Sequence, residues 1–217
     1  MGLAASSNVR TGAGFYRLYS PNHLLFQGWL MKLEHWRHFY RARFFLLFKQ
    51  DVKAIAAFKQ ALLVRPDFAL AASCLGHLYA ANGQTGLAEQ SFLDALRIDP
   101  HDAVTHFNLG FNYEKCKQYD KAIASFQAAV KLAPKLDRAW YGMGLAYAAL
   151  NQHEAAAEAL EHAAELQPMN PHAWYNLGMA YYTLGNKDKV GDIIEHLNRF
   201  DPKMTRQLVR ETSSGSQ

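Results

Sequence analysis

Proline recurs at a fixed interval of 34 residues through most of the chain, at Pro66, Pro100, Pro134, Pro168 and Pro202. Short segments repeat at the same interval: "ASCLGHLY" at 72–79, "HFNLGFNY" at 106–113, "WYGMGLAY" at 140–147 and "WYNLGMAY" at 174–181. A period of this length indicates one supersecondary unit stacked several times, because a single unit cannot bury its apolar face alone. The period therefore constrains the fold more tightly than composition does.

Small and apolar residues within each period predict two helices that cross closely. Apolar residues recur at steps of three, four and seven, the spacing of one helix face. A small residue falls at one place in the first predicted helix (Ala42, Gly76, Gly110, Gly144, Gly178), and a small or β-branched one falls in the second (Ala54, Ala88, Ala122, Ala156, Val190). Proline ends the second helix, and Gly83 and Gly185 mark the turn between the helices.

This pattern resembles the tetratricopeptide repeat (TPR) family. The resemblance implies an all-α fold, a right-handed α-solenoid of antiparallel helix pairs. Four full repeats are expected at 69–102, 103–136, 137–170 and 171–204. A degenerate repeat is expected at 35–68, because His38 and Arg41 stand where bulky apolar residues are usual. Residues 1–34 then form a basic, aromatic N-terminal arm, and residues 205–217 form a capping helix and a disordered tail, "ETSSGSQ".

Candidate binding residues follow from the same resemblance, which implies that the first helix of each repeat lines a concave groove. The second, fifth, sixth, ninth, twelfth and thirteenth residues of a repeat are expected to face it. The peptide-binding candidates are His77, Phe107, Asn108, Phe111, Lys115, Arg138, Tyr141, Tyr175, Asn176, Met179 and Tyr182. The aromatic members either anchor a ligand segment, as aromatic residues do at protein interfaces, or only pack against neighbouring helices.

Two ligand-binding patterns of the family can be compared with these residues. The Lys, Arg and Asn clamp that holds the C-terminal carboxylate of chaperones is not expected here, because Ser73 and His77 replace its first Lys and Asn. Shifting the frame by one repeat gives Phe107 and Phe111 at those places. A ladder of asparagines is matched in part by Asn108 and Asn176, but Cys74 and Gly142 interrupt it.

The N-terminal arm differs from the repeats in charge. Residues 1–50 contain seven Lys or Arg and one acidic residue, Glu34. A helix is expected from Pro21 to about Phe48, after a Gly- and Ser-containing lead-in. It either caps the solenoid or docks to a partner or membrane surface, since Trp29, Trp36, Phe39 and Tyr40 alternate with basic residues. A transit peptide and N-myristoylation at Gly2 are weaker alternatives.

Several classes of function are not expected from this sequence. No apolar run reaches the roughly 18–20 residues of a membrane span, and the repeats carry no basic patch of the kind that binds nucleic acid. There is no phosphate-binding loop, and His35 and His38 lack the further ligands of a metal site. Cys74 and Cys116 fit a reducing compartment. No catalytic residue, cofactor or metal is expected, and the expected localisation is cytoplasmic.

The sequence thus predicts a protein–protein interaction scaffold or adaptor that binds a peptide segment of a partner in its concave groove, in the assembly of a complex. The alternative is a membrane-peripheral assembly factor docked through its basic, aromatic arm. Self-association, with the arm filling the groove of a neighbouring copy, is a third hypothesis. Neither nucleic acid nor a transmembrane segment is part of any of these hypotheses.

Overall fold

The structure, a computed structural model, describes the backbone of residues 21–214 and the side chains of 33–213. This part of the chain is all-α and contains no strand, which confirms the predicted fold class. Its eleven helices are α1 (Pro21–Leu47), α2 (Asp51–Val64), α3 (Ala69–Ala81), α4 (Thr85–Ile98), α5 (Ala103–Lys115), α6 (Tyr119–Leu132), α7 (Asp137–Ala149), α8 (His153–Leu166), α9 (Pro171–Thr183), α10 (Lys187–Asn198) and α11 (Pro202–Ser214).

The helices pair in chain order and the pairs stack. Helix α1 packs on α2, α3 on α4, α5 on α6, α7 on α8 and α9 on α10. The second helix of each pair also contacts the first helix of the next pair, which produces a right-handed α-solenoid. Helix α11 packs against α9 and α10, in the place that the first helix of a further pair would take.

Glycine at the helix crossing is required by the closeness of the second helix. A Cβ atom built on Gly110 would lie 2.8 Å from Cδ1 of Phe126 and 3.2 Å from the carbonyl oxygen of Ala122. Phe126 is fully buried and fills the centre of its helix pair. In the first pair, Ala42 and Phe58 occupy the corresponding places and are equally buried. The small residue at this position therefore sets the distance between the paired helices.

The turn within each pair contains one residue in the left-handed region. These residues are 34 apart, at Lys49, Gly83, Lys117, Asn151 and Gly185, with φ between 54° and 73°. A backbone bond spanning five residues closes each turn, as from Gln84 N–H to Tyr79 O at 2.8 Å, the bond of a Schellman motif. Only the two glycines were marked from the sequence, because Lys carries no such conformational signal and that of Asn is weaker than that of Gly. Lys49 shows that the first pair has the same turn as the others.

Residues before α5 and α9 cap those helices. The Asp102 carboxylate accepts hydrogen bonds from the N–H groups of Val104 at 3.0 Å and Thr105 at 3.2 Å. The Asn170 side chain accepts one from His172 N–H at 3.1 Å, and Pro171 occupies the first turn. These bonds satisfy N–H groups that a helix start leaves without a partner.

The two ends of the chain depart from the repeat pattern. Helix α1 has 27 residues, about twice the length of a repeat helix, because fourteen of its residues precede position 35. Helix α11 begins three residues before position 205 and includes 211–214, which the sequence assigned to the disordered tail. Glu211 holds that last turn, because its carboxylate accepts a hydrogen bond from Gln207 at 3.1 Å. The lead-in at 1–20 and the tail at 215–217 lie outside the described residues.

Candidate functional site

A cleft of about 770 Å³ opens between the second and third helix pairs. Helices α3, α5 and α7 contribute its walls. Six of the eleven candidate residues line it: His77, Phe107, Asn108, Phe111, Lys115 and Arg138. They meet because the second, fifth, sixth, ninth and thirteenth positions of successive first helices lie side by side in the stack.

Two phenylalanine rings form the apolar part of the cleft. Phe107 and Phe111 lie one turn apart on α5, and their rings stack with centroids 6.4 Å apart and planes 22° from parallel. Phe107 is half-buried and also contacts Phe126, with centroids 6.0 Å apart. Phe111 is 47% exposed. The inner ring is therefore fixed by the core, whereas the outer ring presents free apolar surface.

A cation lies over each of these rings. The Arg138 guanidinium is 5.2 Å from the Phe107 ring centre, and the Lys115 ammonium is 5.2 Å from that of Phe111. Both distances fall within the range of cation–π attraction. Neither cation forms an ion pair within the described part of the chain, and no lining side chain is a carboxylate. The cleft therefore combines apolar surface with uncompensated positive charge.

Polar groups in the same cleft have unused hydrogen-bonding capacity. Asn108 and His77 form no side-chain hydrogen bond with any described residue. Asn112, which is buried, donates from Nδ2 to the Thr85 carbonyl at 3.1 Å. Its Oδ1 has no hydrogen-bond partner in the structure. Buried polar atoms are rarely left without a partner, so Asn112 departs from the ordinary packing of this wall.

The other five candidate residues do not join this cleft. Tyr141 and Asn176 contact each other, because Asn176 Nδ2 donates to Tyr141 Oη at 3.0 Å. The same amide also donates to the carbonyl of His172 at 2.8 Å. Both N–H groups of Asn176 are thus used within the protein, and only its Oδ1 remains for a ligand. Burial raises the pKa of the Tyr141 hydroxyl, so it stays a neutral acceptor.

Helix α11 engages the last part of the predicted groove. The Tyr175 hydroxyl donates to the Glu211 carboxylate and accepts from Gln207 Nε2 at 3.3 Å. Burial first, and then the bond to Glu211, raise the pKa of Tyr175. Met179 is half-buried, and Tyr182 lines a separate cleft of about 380 Å³ with Thr212. The C-terminal end of the groove is therefore partly filled by this chain's own helix.

Comparison with known families identifies the repeats. Sequence profiles described as "Tetratricopeptide repeat" match residues 53–103, 103–136 and 171–203, and one described as "TPR repeat" matches 144–185. The chain belongs to the tetratricopeptide repeat family. The predicted family is thereby confirmed.

Solved structures of other proteins share this fold. YrrB, described as a TPR protein with an unusual peptide-binding site, is 20% identical with a TM-score of 0.72, over 85% of this chain and 97% of that one. MamA from Desulfovibrio magneticus RS-1 is 23% identical, with a TM-score of 0.68 over 84% and 97%. The first TPR of Spaghetti bound to an HSP90 peptide is 26% identical, with a TM-score of 0.53 over 54% and 93%. No curated protein matches the sequence.

The fifth position of each TPR unit contributes to the contact with the next unit. Ser73 forms a buried hydrogen bond with Thr105, Phe107 lies under Arg138, and Tyr141 binds Asn176. These contacts correspond to the packing interpretation of the aromatic residues. The interpretation that aromatic residues of the groove anchor a ligand stays a prediction. It is strongest for Phe111, at the ninth position, because its ring is the most exposed of these aromatic rings.

Six residues that line the TPR cleft were not among the candidates, and two of them, Thr85 and Asn112, have polar side chains. Thr85 contributes a backbone carbonyl, for which sequence carries no signal. Asn112 does carry one: it occupies the tenth position of its repeat, where the other full repeats have Leu78, Ala146 and Ala180, all buried. A polar residue at a buried apolar position is a departure that indicates a specific role.

Neither a metal site nor a membrane-spanning helix is found in the described part of the chain. Among the side chains of residues 33–213, no group of three or more His, Cys, Asp or Glu is arranged to hold a metal ion. His35 is buried and lies 3.2 Å from Arg65 through its Nε2, and burial, followed by the Arg65 charge, lowers its pKa. No helix in the same range is long and apolar enough to cross a membrane.

Proposed function

We propose that this TPR protein is a scaffold that binds a peptide segment of a partner protein in the cleft between α3, α5 and α7. In this role it is a cytoplasmic adaptor that brings the partner into a larger complex, and it carries out no reaction itself. The observation that supports the proposal best is the pair of stacked rings, Phe107 and Phe111, with Arg138 and Lys115 lying over them.

The chemistry of the cleft selects the kind of segment. Stacked aromatic rings favour a bulky apolar side chain, since aromatic residues supply large rigid contact area at interfaces. Two cations without carboxylate partners favour an Asp or Glu beside it, because charge-assisted hydrogen bonds to carboxylates are strong. We therefore infer a segment in which acidic and bulky apolar residues alternate.

The solved TPR structures support a peptide as the ligand class. YrrB is described as having a peptide-binding site, and the Spaghetti repeat is bound to the HSP90 peptide SRMEEVD, which contains three acidic residues. The present chain lacks the Lys and Asn with which the chaperone clamp begins. Its cleft instead places aromatic rings under the cations, so we expect a different sequence preference with the same preference for negative charge.

The rest of the groove extends this site in the proposal. Tyr141, Tyr175, Asn176, Met179 and Tyr182 continue along α7 and α9 toward α11. A segment running from the cleft in that direction would meet Asn176 Oδ1 as an acceptor, since its two N–H groups are already bonded. These residues are proposed to adjust register, whereas the cleft supplies the anchor.

Peptide pools test the proposal directly. Two fluorescein-labelled pools of peptides of about ten residues would carry Phe, Leu and Met at alternating positions, with Glu between them in one pool and Gln in the other. We expect fluorescence anisotropy to show binding of the Glu pool to the full chain, weakening as salt rises. Equal binding of both pools would contradict the acidic preference, and binding of neither would contradict the peptide-binding function.

A further inference from the structure

The N-terminal end of the solenoid exposes a face that is buried in every other repeat. The third, seventh and tenth positions of the first helix are buried in all four full repeats, as Ala71, Leu75, Leu78; Thr105, Leu109, Asn112; Ala139, Met143, Ala146; and Ala173, Leu177, Ala180. In the first pair these positions are Arg37, Arg41 and Phe44, and all three are exposed. No described helix precedes α1 to cover them.

This N-terminal face is both basic and aromatic. Phe44 is 55% exposed and Phe48 is 59% exposed, and their rings lie 4.9 Å apart between centroids. Arg41 lies one turn and Arg37 two turns before Phe44 on the same stripe of α1. Glu34 is the one acidic residue in the sequence of α1, and it pairs with Arg37 at 3.1 Å.

The same stripe continues through the first half of α1. Helix α1 is continuous from Pro21 to Leu47, and the register positions before Arg37 at helical spacing are Leu33, Leu30 and Phe26. From residue 26 to residue 44 this register spans about 27 Å at the usual rise of a helix. Residues 1–33 contain no acidic residue. By register along α1, apolar residues therefore precede and follow the two arginines.

We propose that this face binds an anionic membrane surface, with α1 lying in the plane of the lipid headgroups. Aromatic side chains enter the boundary between headgroups and acyl chains, while Arg and Lys contact anionic lipids. Arginine suits such a surface, because its guanidinium stays at the polar level while its stem lies along apolar material. This proposal does not depend on the peptide cleft, which lies on α3, α5 and α7.

Charge and size disfavour the other occupants of the face. A partner helix packed as in the other repeats would meet Arg37 and Arg41 where Ala, Thr, Leu and Met allow close contact elsewhere, and burying those charges is costly. A second copy stacked by its opposite end would bring Lys203 and Arg206 of α11, both exposed, against the arginines. Residues 1–20 contain Arg10 and Arg17 and no acidic residue. Their charge therefore has the same sign as that of Arg37 and Arg41, which disfavours them as the occupant of this face.

Vesicle sedimentation tests the proposal with the full chain. Vesicles of phosphatidylcholine with about 30% phosphatidylserine would be compared with pure phosphatidylcholine, because the surface potential comes from the anionic lipid. We expect binding to the anionic vesicles alone, with loss of binding when salt rises from about 0.1 M to about 0.5 M. Absence of binding at the lower salt would overturn the proposal.

Matched variants separate this face from general electrostatic attraction. Arg37→Glu with Arg41→Glu should reduce vesicle binding about tenfold or more, and Phe44→Ser with Phe48→Ser should also reduce it. Lys203→Glu with Arg206→Glu makes the same change of net charge at the opposite end and should leave most binding intact. Equal loss in both charge variants would overturn the proposal. Circular dichroism checks that each variant stays helical.

The two other possible occupants of the face, a second copy of the chain and residues 1–20, predict different experimental results. A molecular mass that rises with concentration without vesicles, and no longer rises in Phe44→Ser with Phe48→Ser, would assign the face to a second copy. Vesicle binding that begins only after removal of residues 1–20 would assign it to that segment. Either outcome would overturn the membrane assignment. Peptide binding by the cleft should be unchanged in Arg37→Glu with Arg41→Glu, so the two proposals fail independently.

Discussion

Arg138 lies over the ring of Phe107, 5.2 Å from its centre, although the two residues belong to successive repeats. The contact joins the second position of one repeat to the fifth position of the repeat before it. It places a positive charge at the mouth of the cleft without a carboxylate to neutralise it. The geometry of repeat stacking thereby decides the charge of the candidate binding site.

Charge reversal at Lys115 should abolish the preference for acidic peptides. Lys115 is exposed and lies over Phe111, so Lys115→Glu should weaken binding of the Glu-containing pool about tenfold or more, because like charges at an interface repel. Lys121→Glu is the matched control, since Lys121 lies 5.2 Å from the ring of Tyr113 outside the cleft. Fluorescence anisotropy measures both. Equal losses in the two variants would contradict a specific role for Lys115.

Gly110→Leu should destabilise the fold, because even a Cβ atom there would lie 2.8 Å from the Phe126 ring. Overpacking of this kind typically costs about 1–3 kcal/mol in the free energy of unfolding. Gly191→Leu is the control, since a Cβ atom on Gly191 meets nothing within 4 Å. Urea unfolding followed by circular dichroism gives both values. An unchanged midpoint for Gly110→Leu would contradict the observed helix crossing.

Lys117→Gly should stabilise the protein, because Lys117 has a φ of 58°, a conformation that glycine adopts without a Cβ clash. The expected gain is about 0.5–1 kcal/mol, the strain removed being partly offset by the greater freedom of glycine in the unfolded chain. Gly83→Ala, at the same place one repeat earlier with a φ of 73°, should have the opposite sign. Thermal melts measure the pair, and shifts of the same sign would contradict this account.

The fold was largely predictable from the sequence, because a repeat states each packing rule several times. Gly110 and Phe126 appear again as Gly76 and Phe92, so the helix crossing needed no structure to be found. Phe107, Phe111, Lys115 and Arg138 were also identified, since repeat position determines which side faces the groove.

Contacts that occur in only one place, and are not repeated along the chain, could not be predicted from the sequence. The sequence gives no sign that Tyr175 binds Glu211 of α11, because residues 211–214 have the composition of a tail and become helical through this packing. The exposed face of α1 is a similar case. Arg37 and Arg41 are informative only once the corresponding residues of the other repeats are seen to be buried.

The contact between α9 and α11 should weaken at acidic pH. The hydrogen bond from Tyr175, followed by that from Gln207, lowers the pKa of Glu211 below its usual value. Because the pKa is lower in the folded state, the stabilisation is present above the unfolded pKa and is lost as pH falls through the folded one. Thermal melts below about pH 4.5 should show this loss, and Tyr175→Phe should reduce it. An unchanged pH dependence in Tyr175→Phe would contradict the role of this bond.

Substitutions at exposed aromatic residues of the groove should affect peptide affinity, whereas substitutions at packed ones should affect stability. Phe111 is 47% exposed, so Phe111→Ala should change the melting temperature little. It should weaken binding of the Glu-containing peptide pool about tenfold, as loss of an aromatic anchor does. Tyr141→Phe removes the bond from Asn176 and should instead lower stability by about 1 kcal/mol, with peptide affinity nearly unchanged. Anisotropy and thermal melts on both variants give four values. The opposite result would be that Phe111→Ala melts early and still binds peptide, whereas Tyr141→Phe stays stable and fails to bind. That result would place the anchor at α7 and α9, and the cleft between α3, α5 and α7 would not be the peptide site.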